Sequence, residues 1–478
     1  MSKNDHAGAA ADFSQKWMVL FAVMTGGFMV SVDGSVVNLI LPTLVTDLHT
    51  SFTVVQWVII SYLLVITSLV MIMGRLGDLR GKKGIYLSGF ILFTFGSLLC
   101  GFAGTIWWLL VFRIIQGIGG AMVLALGFAI VTEAFPAAER GKAMGILASV
   151  VTLGLVTGPV VGGILVDILS WHWIFFINLP LGLCGIYMVN TYVVSAISPE
   201  QKGFDLAGAI LFFLSMLSIV IGLTLGKNNG FISLWPIACF IGFLVCGQVF
   251  LFTEKRVSSP IIELGLFKDI SLTANLLVMF LFYFVIGGFF ILAPFFFQNI
   301  LGLTPNRIGI LFGAMSMAMV FLSPFSGMLS DRMGTTTIIG VSLLILLTTC
   351  VVFWRYLGAE PSGFACFIGM VLVGTAMGLY MSPSHSAVMG IVPQKYLGIA
   401  SSLLILCRTL GQMVGVAFWS VVWVLKTELH STASFVHITE ASVEARINGL
   451  QDLSILMAAL IGAAFIVVSL ATVKNKKN

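Results

Sequence analysis

Residues 52–73 read FTVVQWVIISYLLVITSLVMIM without one charge, and the next eleven, Gly74-Arg-Leu-Gly-Asp-Leu-Arg-Gly-Lys-Lys-Gly84, hold five. A helix rises about 1.5 Å per residue, so this run spans roughly 33 Å, enough to cross a hydrocarbon core about 30 Å thick. The charged stretch that follows reads as a loop returned to water.

Working outward, the same alternation of apolar run and charged gap recurs to give fourteen runs, near 17–44, 52–73, 84–104, 107–130, 142–166, 173–195, 206–226, 234–254, 273–297, 305–327, 337–355, 363–389, 397–425 and 452–473. Of the 478 residues, 59% are hydrophobic and 9% charged, against roughly a quarter charged in a soluble domain. So few charges cannot clothe a water-facing surface. A membrane β-barrel is excluded too, because its strands alternate apolar and polar over about ten residues, whereas these runs are continuously apolar. The expectation is an all-α integral membrane protein with fourteen spans. The first run follows a polar tail, is long, and is interrupted by Asp33, so it reads as a span and not as a cleaved signal. Seven cysteines in or beside the runs, without paired spacing, read as core filler.

Basic residues mark the cytoplasmic side of a membrane protein. With the N-terminus inside, the inner segments carry 17 of the 24 Lys and Arg and the outer segments 5, while Arg113 and Arg408 lie inside runs 4 and 13. Both termini are therefore expected in the cytoplasm of a cell with this chain in its plasma membrane. The basic excess calls for anionic lipid headgroups and not for a nucleic acid.

An internal repeat orders the runs. Gly74-Arg-Leu-Gly-Asp78-Leu-Arg-Gly81 returns as Gly327-Met-Leu-Ser-Asp331-Arg-Met-Gly334, 253 positions on; Pro136, Gly141, Ala143, Gly154 and Gly158 return as Pro393, Gly398, Ala400, Gly411 and Gly415, 257 positions on. Either match alone is weak in a Gly-rich chain, but both fall in the same order. Run 2 then matches run 10 and run 5 matches run 13, so the architecture is 6 + 2 + 6. The expected units are a tail 1–16, a six-helix bundle 17–195, two inserted helices 196–269, a second bundle 270–473 and a tail 474–478. Transporters are often built from repeated halves with the substrate site between them, so the repeat directs attention to the space between the two bundles.

Four motifs carry a resemblance to the major facilitator superfamily, and within it to the fourteen-helix drug:proton antiporter family of multidrug efflux transporters. They are the Gly74–Gly84 loop; Arg113-Ile-Ile-Gln-Gly-Ile-Gly-Gly120 in run 4; Gly154-Leu-Val-Thr-Gly-Pro-Val-Val-Gly-Gly163 in run 5; and Asp33-Gly-Ser-Val-Val-Asn-Leu-Ile-Leu-Pro42 in run 1. The resemblance implies export by alternating access, with Asp33 and Arg113 tied to proton coupling and the run 5 motif favouring antiport by sealing the inner half. It departs from relatives that export dications in one respect. Run 10 contains no acid, which favours monocationic or neutral lipophilic substrates.

The residues support roles of their own. Asp33 alone among the 19 acids lies deep in an apolar run, and an intramembrane carboxylate is costly and faces a cavity or a partner. It reads either as a proton carrier or as a structural acid bonded to a neighbouring helix. Arg113, at similar depth in run 4, reads either as its electrostatic partner or as a donor to carbonyls. Gly154, Gly158, Gly162 and Gly163 bare one helix face for close approach, and Pro159 bends it. A conformational latch is expected from Gly74, Arg75, Gly77, Asp78, Arg80 and Gly81, with Arg75 pairing Glu133, and a thinner copy from Asp331 and Arg332. Candidate cavity residues are Asn38, Trp57, Tyr62, Gln116, Phe289 and Gln298, although any one aromatic among 39 Phe is as readily core or lipid-facing. His385, near the end of run 12, reads as packing.

Nothing points to catalysis. The chain has no Gly-rich phosphate loop, no His-Glu-x-x-His or paired-Cys metal pattern, and no Ser in a nucleophile-elbow turn. No cofactor or metal is expected, and without a nucleotide site the energy source is an ion gradient. One carboxylate with no cage of oxygen ligands leans to the proton. The expected partners are a small-molecule substrate, protons and lipids, acting on a monomer. A metabolite or lipid transporter of the same fold is the alternative.

Overall fold

The computed structural model describes residues 15–136, 139–194, 205–257, 264–356, 363–392, 397–431 and 438–475. These residues form helices and no strand. Fourteen helices are long and apolar enough to cross a membrane: α1 Lys16–Asp47, α2 Phe52–Gly77, α3 Lys82–Gly101, α4 Ile106–Ala134, α5 Ala143–Ile168, α6 Trp173–Tyr192, α7 Ala207–Gly226, α8 Leu234–Glu254, α9 Ile270–Ile300, α10 Pro305–Met333, α11 Thr335–Arg355, α12 Gly363–Ile391, α13 Ser402–His430 and α14 Val443–Ser469. Each expected run lies on one of them.

The packing repeats. In the first six helices α1 lies against α5, α3 against α4 and α2 against α4; in the last six α9 lies against α13, α11 against α12 and α10 against α12. Glycines set the close contacts. A Cβ added at Gly154 would stand 2.8 Å from the Phe28 carbonyl oxygen of α1, and one at Gly411 would stand 2.6 Å from the Phe280 carbonyl oxygen of α9. The repeated loops share a backbone shape as well: Gly81 has φ 93° and Gly334 has φ 88°, a left-handed conformation that suits residues without a Cβ.

The two halves meet along α5 with α10, α2 with α13, and α1 with α9, while α7 and α8 pack on each other and α7 also touches α2 and α13. Because the spans number fourteen, Lys16 at the start of α1 and the end of α14 fall at the same end of the bundle, the terminus side. At the far side the halves are closed. Phe52 of α2 stacks edge-on to Phe295 of α9 at 4.7 Å and to Trp423 of α13 at 5.1 Å. Gln298 donates to the Thr43 hydroxyl at 3.4 Å across the same seam. A Cβ at Gly163 would stand 2.9 Å from the Pro305 carbonyl oxygen and 3.0 Å from the Gly309 Cα, so the backbones of α5 and α10 touch there. The described cysteines are all free.

Candidate functional site

Between the halves lies a cavity of about 1020 Å³. Its walls come from the terminus-side halves of the helices: Leu124 and Phe128 of α4, Met144 to Leu155 of α5, Val320 to Pro324 of α10, Met381 to Ser386 of α12 and Leu404 to Gln412 of α13. Asn38, Ile59 and Tyr62 line its deeper part. The cavity thus lies on the terminus side of the far-side closure.

Asp33 is fully buried in α1, and its carboxylate is surrounded by donors. Arg113 Nη1 donates to Oδ2 at 2.6 Å; Gln116 Nε2 and Asn178 Nδ2 donate to Oδ1 at 2.8 and 3.2 Å. The surroundings are ordered in turn. Ser97 Oγ accepts from Gln116 at 3.2 Å and from Asn178 at 2.9 Å, and donates to the Phe175 carbonyl at 2.9 Å. Arg113 also donates to the Gln116 side-chain oxygen at 2.7 Å and to the Val58 carbonyl at 3.2 Å. Its guanidinium lies 4.0 Å from the centre of the Tyr62 ring, which forms the cavity wall. The buried charge is thus balanced and bonded, the condition on which a buried ion pair can persist.

The arrangement has a chemical consequence. An ionised carboxylate is an acceptor only, and three N–H groups point at this one. A protonated carboxyl would bring an O–H in among these donors and remove the charge that balances Arg113, so adding a proton weakens the hold on Arg113.

Four helices supply this cluster: α1, α3, α4 and α6. The sequence reading named Asp33, Arg113 and Gln116 but passed over Ser97 and Asn178. Asn178 carried a usable signal, an amide isolated in an apolar run; Ser97 carried none. Asp33 itself does not line the cavity. It sits behind Tyr62 and Arg113, next to the cavity-lining Gly34.

The other expected residues divide. Asn38 and Tyr62 line the cavity, Asn38 donating to the Gly34 carbonyl at 2.8 Å. Gln116 belongs to the Asp33 cluster and Gln298 to the far-side closure. Trp57 is half-buried against the core and does not line the cavity. Phe289 faces a separate apolar pocket of about 290 Å³ with Phe296, Phe297 and Phe353, and from that Phe-rich stretch it is Phe290 that reaches the central cavity. His385, expected to pack, lines the cavity wall, as does Arg408.

Two expectations need correction. Glu133 pairs with Lys82 and not with Arg75, because Lys82 begins α3 directly beyond the Gly81 turn. The side chain of Asp78 lies outside the described residues, Arg80 is exposed, and so are Asp331 and Arg332. Gly77 lets α2 approach Leu126 of α4, where an added Cβ would stand 2.4 Å from the leucine, whereas a Cβ at Gly74 would meet nothing. The run 5 motif also divides. Gly154, Gly158 and Gly162 pack on α1 of the same half, while Gly163 packs on α10 of the other half, and the Pro159 carbonyl oxygen lies 2.7 Å from where a Cβ of Gly309 would be. The seam this motif makes here is at the far end and not at the inner one.

Comparison with known proteins agrees with this architecture. The model of the Major Facilitator Superfamily matches residues 23–416. The chain is 32% identical over 407 residues to the riboflavin transporter RibZ of Clostridioides difficile, covering 85% of this chain and 88% of that one. It is 33% identical over 407 residues to the multidrug resistance protein Stp of Mycobacterium tuberculosis, covering 84% and 74%. Among solved structures, a bacterial homologue of the human lysosomal transporter Spinster, inward-facing and unoccupied, shares the fold with a TM-score of 0.66 at 17% identity over 96% of this chain and 97% of that one. A cavity between two repeated six-helix sets, closed at one end, is the architecture of a carrier and not of an enzyme, and this multi-pass chain belongs to the Major Facilitator Superfamily, on the fourteen-helix branch that its motifs resemble.

Proposed function

We propose that the protein is a proton-coupled antiporter that exports lipophilic small molecules by alternating access. Residues 17–195 and 270–473 rock about the central cavity, 196–269 form a peripheral insert, and both termini lie in the cytoplasm, as the basic residues indicate. The observation that carries the reading is the Asp33 cluster: a buried carboxylate whose protonation would leave Arg113 without its counter-charge, one side chain away from the cavity. In the state open to the terminus side Asp33 is ionised and held by Arg113, and the cavity loads substrate. After the halves rock, a proton reaching Asp33 from outside releases Arg113 and biases the return. A membrane potential adds about 2.3 kcal/mol per charge per 100 mV to any step that moves charge across.

The test uses everted vesicles holding a pre-formed pH gradient. Added substrate dye accumulates and dissipates the gradient with the wild-type chain, and Asp33→Asn abolishes both effects. Proton-driven transport surviving in Asp33→Asn and in Arg113→Ala alike ends the coupling role.

A second reading is favoured by the 32% identity to a riboflavin transporter and by the polar groups on the wall, among them Asn38, Gln412 and Ser382. On it the cargo is a planar, hydrogen-bonding metabolite such as riboflavin. Radiolabelled riboflavin moving faster than lipophilic dyes in the same vesicles decides for it.

A further inference from the structure

The charges of the cavity do not balance. Among the described residues its lining includes the cations Arg113 and Arg408 and no Asp or Glu. Arg113 is neutralised from behind by Asp33 at 2.6 Å. Arg408 has no such partner: among the described residues no carboxylate pairs with it, and its guanidinium lies over the face of the Tyr283 ring, 5.7 Å from the ring centre. The repeat makes the asymmetry plain. At the offset that aligns Gly154 with Gly411, the counterpart of Arg408 is Val151, so the charge is an addition to one half and not a demand of the shared packing.

A guanidinium is always ionised and its planar fork fits a carboxylate, sulfonate or phosphate. Leaving one unpaired on a partly desolvated wall is costly unless a ligand completes it. The wall of the same cavity is fitted for an aromatic body: Tyr62, Phe128 and Phe290 line it together with the soft, adaptable side chains of Met144 and Met381. Gln412, one turn further along α13 from Arg408, offers an amide on the same wall.

We infer that the cavity selects aromatic anions, with Arg408 of α13 as the anchor for the anionic group and the aromatic and methionine side chains of the wall as the bed for the rings. This rests on the reading of the central cavity as the substrate site, and it replaces the monocationic part of the sequence expectation while leaving the neutral part. An anion and a proton do not compete here for one charge, since they are held by different halves. Their exchange is carried by the two conformations and not by direct displacement.

The test is equilibrium binding to the purified full-length chain in detergent, read by fluorescence polarisation with two xanthene dyes of similar size and opposite charge, fluorescein and rhodamine 123. The wild type binds fluorescein more tightly than rhodamine 123. Arg408→Gln weakens fluorescein about tenfold or more, the scale of a lost charge-assisted contact, and does not weaken rhodamine 123. Gln412→Glu, nearly isosteric and placing a carboxylate one turn from Arg408, gives the same loss without removing the arginine, so a folding defect in one variant does not mimic the result. Tighter binding of rhodamine 123 by the wild type, no binding of fluorescein, or fluorescein affinity unchanged in both variants overturns the inference. No gradient enters this assay, so a failure of proton coupling leaves its outcome untouched, and a failure here leaves the vesicle test of Asp33 standing.

Discussion

The two halves repeat each other in backbone and differ in how they hold charge. In the first, Arg113 is buried against Asp33 and every charged atom of the carboxylate meets a donor. In the second, Arg408 faces the cavity with an aromatic ring for company. A fold that duplicates its helices therefore does not duplicate its chemistry. The neutralised half can store a two-state element, because a single proton upsets a satisfied network. The unneutralised half cannot store one but can attract.

The sharpest way to break this comparison is to remove the acid. Asp33→Asn leaves Arg113 buried without its counter-charge, a loss of about 3–5 kcal/mol for such a pair, and it removes proton-linked transport in the everted vesicles described above. The double variant Asp33→Asn/Arg113→Gln carries no uncompensated charge and melts closer to the wild type than Asp33→Asn does, yet it still fails to couple. Recovery of both stability and coupling in the double variant would return the pair to a purely structural role.

A smaller effect separates packing within a half from packing between halves. Gly163→Ala drives a methyl towards the Pro305 carbonyl and the Gly309 Cα, overpacking that costs about 1–3 kcal/mol and that opening of the far side relieves. Hydrogen exchange should quicken in peptides covering 163–168 and 305–313 and slow in those covering 381–386. Gly154→Ala meets the Phe28 carbonyl within one half, which rocking does not relieve. It lowers the melting temperature and leaves that exchange pattern alone, and identical patterns in the two variants would remove the distinction.

Next in size is the backbone strain common to both halves. Gly81 and Gly334 hold φ near 90°, so Gly81→Ala and Gly334→Ala each destabilise the chain by about 1–2 kcal/mol. Gly74→Ala, in open space on a helix, does not. Thermal unfolding in detergent reads all three, and unequal losses at the two repeated turns would show that the halves are less alike than their backbones.

How much of this was legible beforehand follows from what each feature depends on. The spans and the repeat were readable because apolar length and glycine spacing are properties of the chain in one dimension. Asp33 and Arg113 stood out for the same reason, as charges within uncharged runs. Ser97 and Asn178 did not, since hydroxyl and amide side chains are ordinary in such helices and their value lies in converging on a carboxylate from α3 and α6. Arg408 was visible as an embedded charge, but whether it has a counter-ion is decided by neighbours more than a hundred residues away. The glycine face of α5 was foreseen, yet Gly162 and Gly163 are about 100° apart around the helix, and that step sends one to α1 and the other to α10. Position along the chain alone could not divide them.

The smallest expected effect concerns the loop that both halves share in outline. In the first half Lys82 reaches Glu133 across the end of α4; in the second, Asp331 and Arg332 are exposed and no lysine follows Gly334, where Thr335 stands instead. Register explains why Lys82 and not Arg75 makes the link, because the left-handed Gly81 redirects the chain and brings the first residue of α3 beside α4. Glu133 is half exposed, with 52% of its side chain in contact with solvent, and an ion pair in that setting contributes about 0–1 kcal/mol. Glu133→Gln and Lys82→Gln should therefore lower stability slightly and by similar amounts, and together no more than either alone. In the same double-variant comparison Arg75→Gln with Glu133→Gln should add independently. Coupling between Arg75 and Glu133 instead would mean that the latch first expected from the sequence forms in the opposite conformation, with the two halves of the cavity closed on the terminus side.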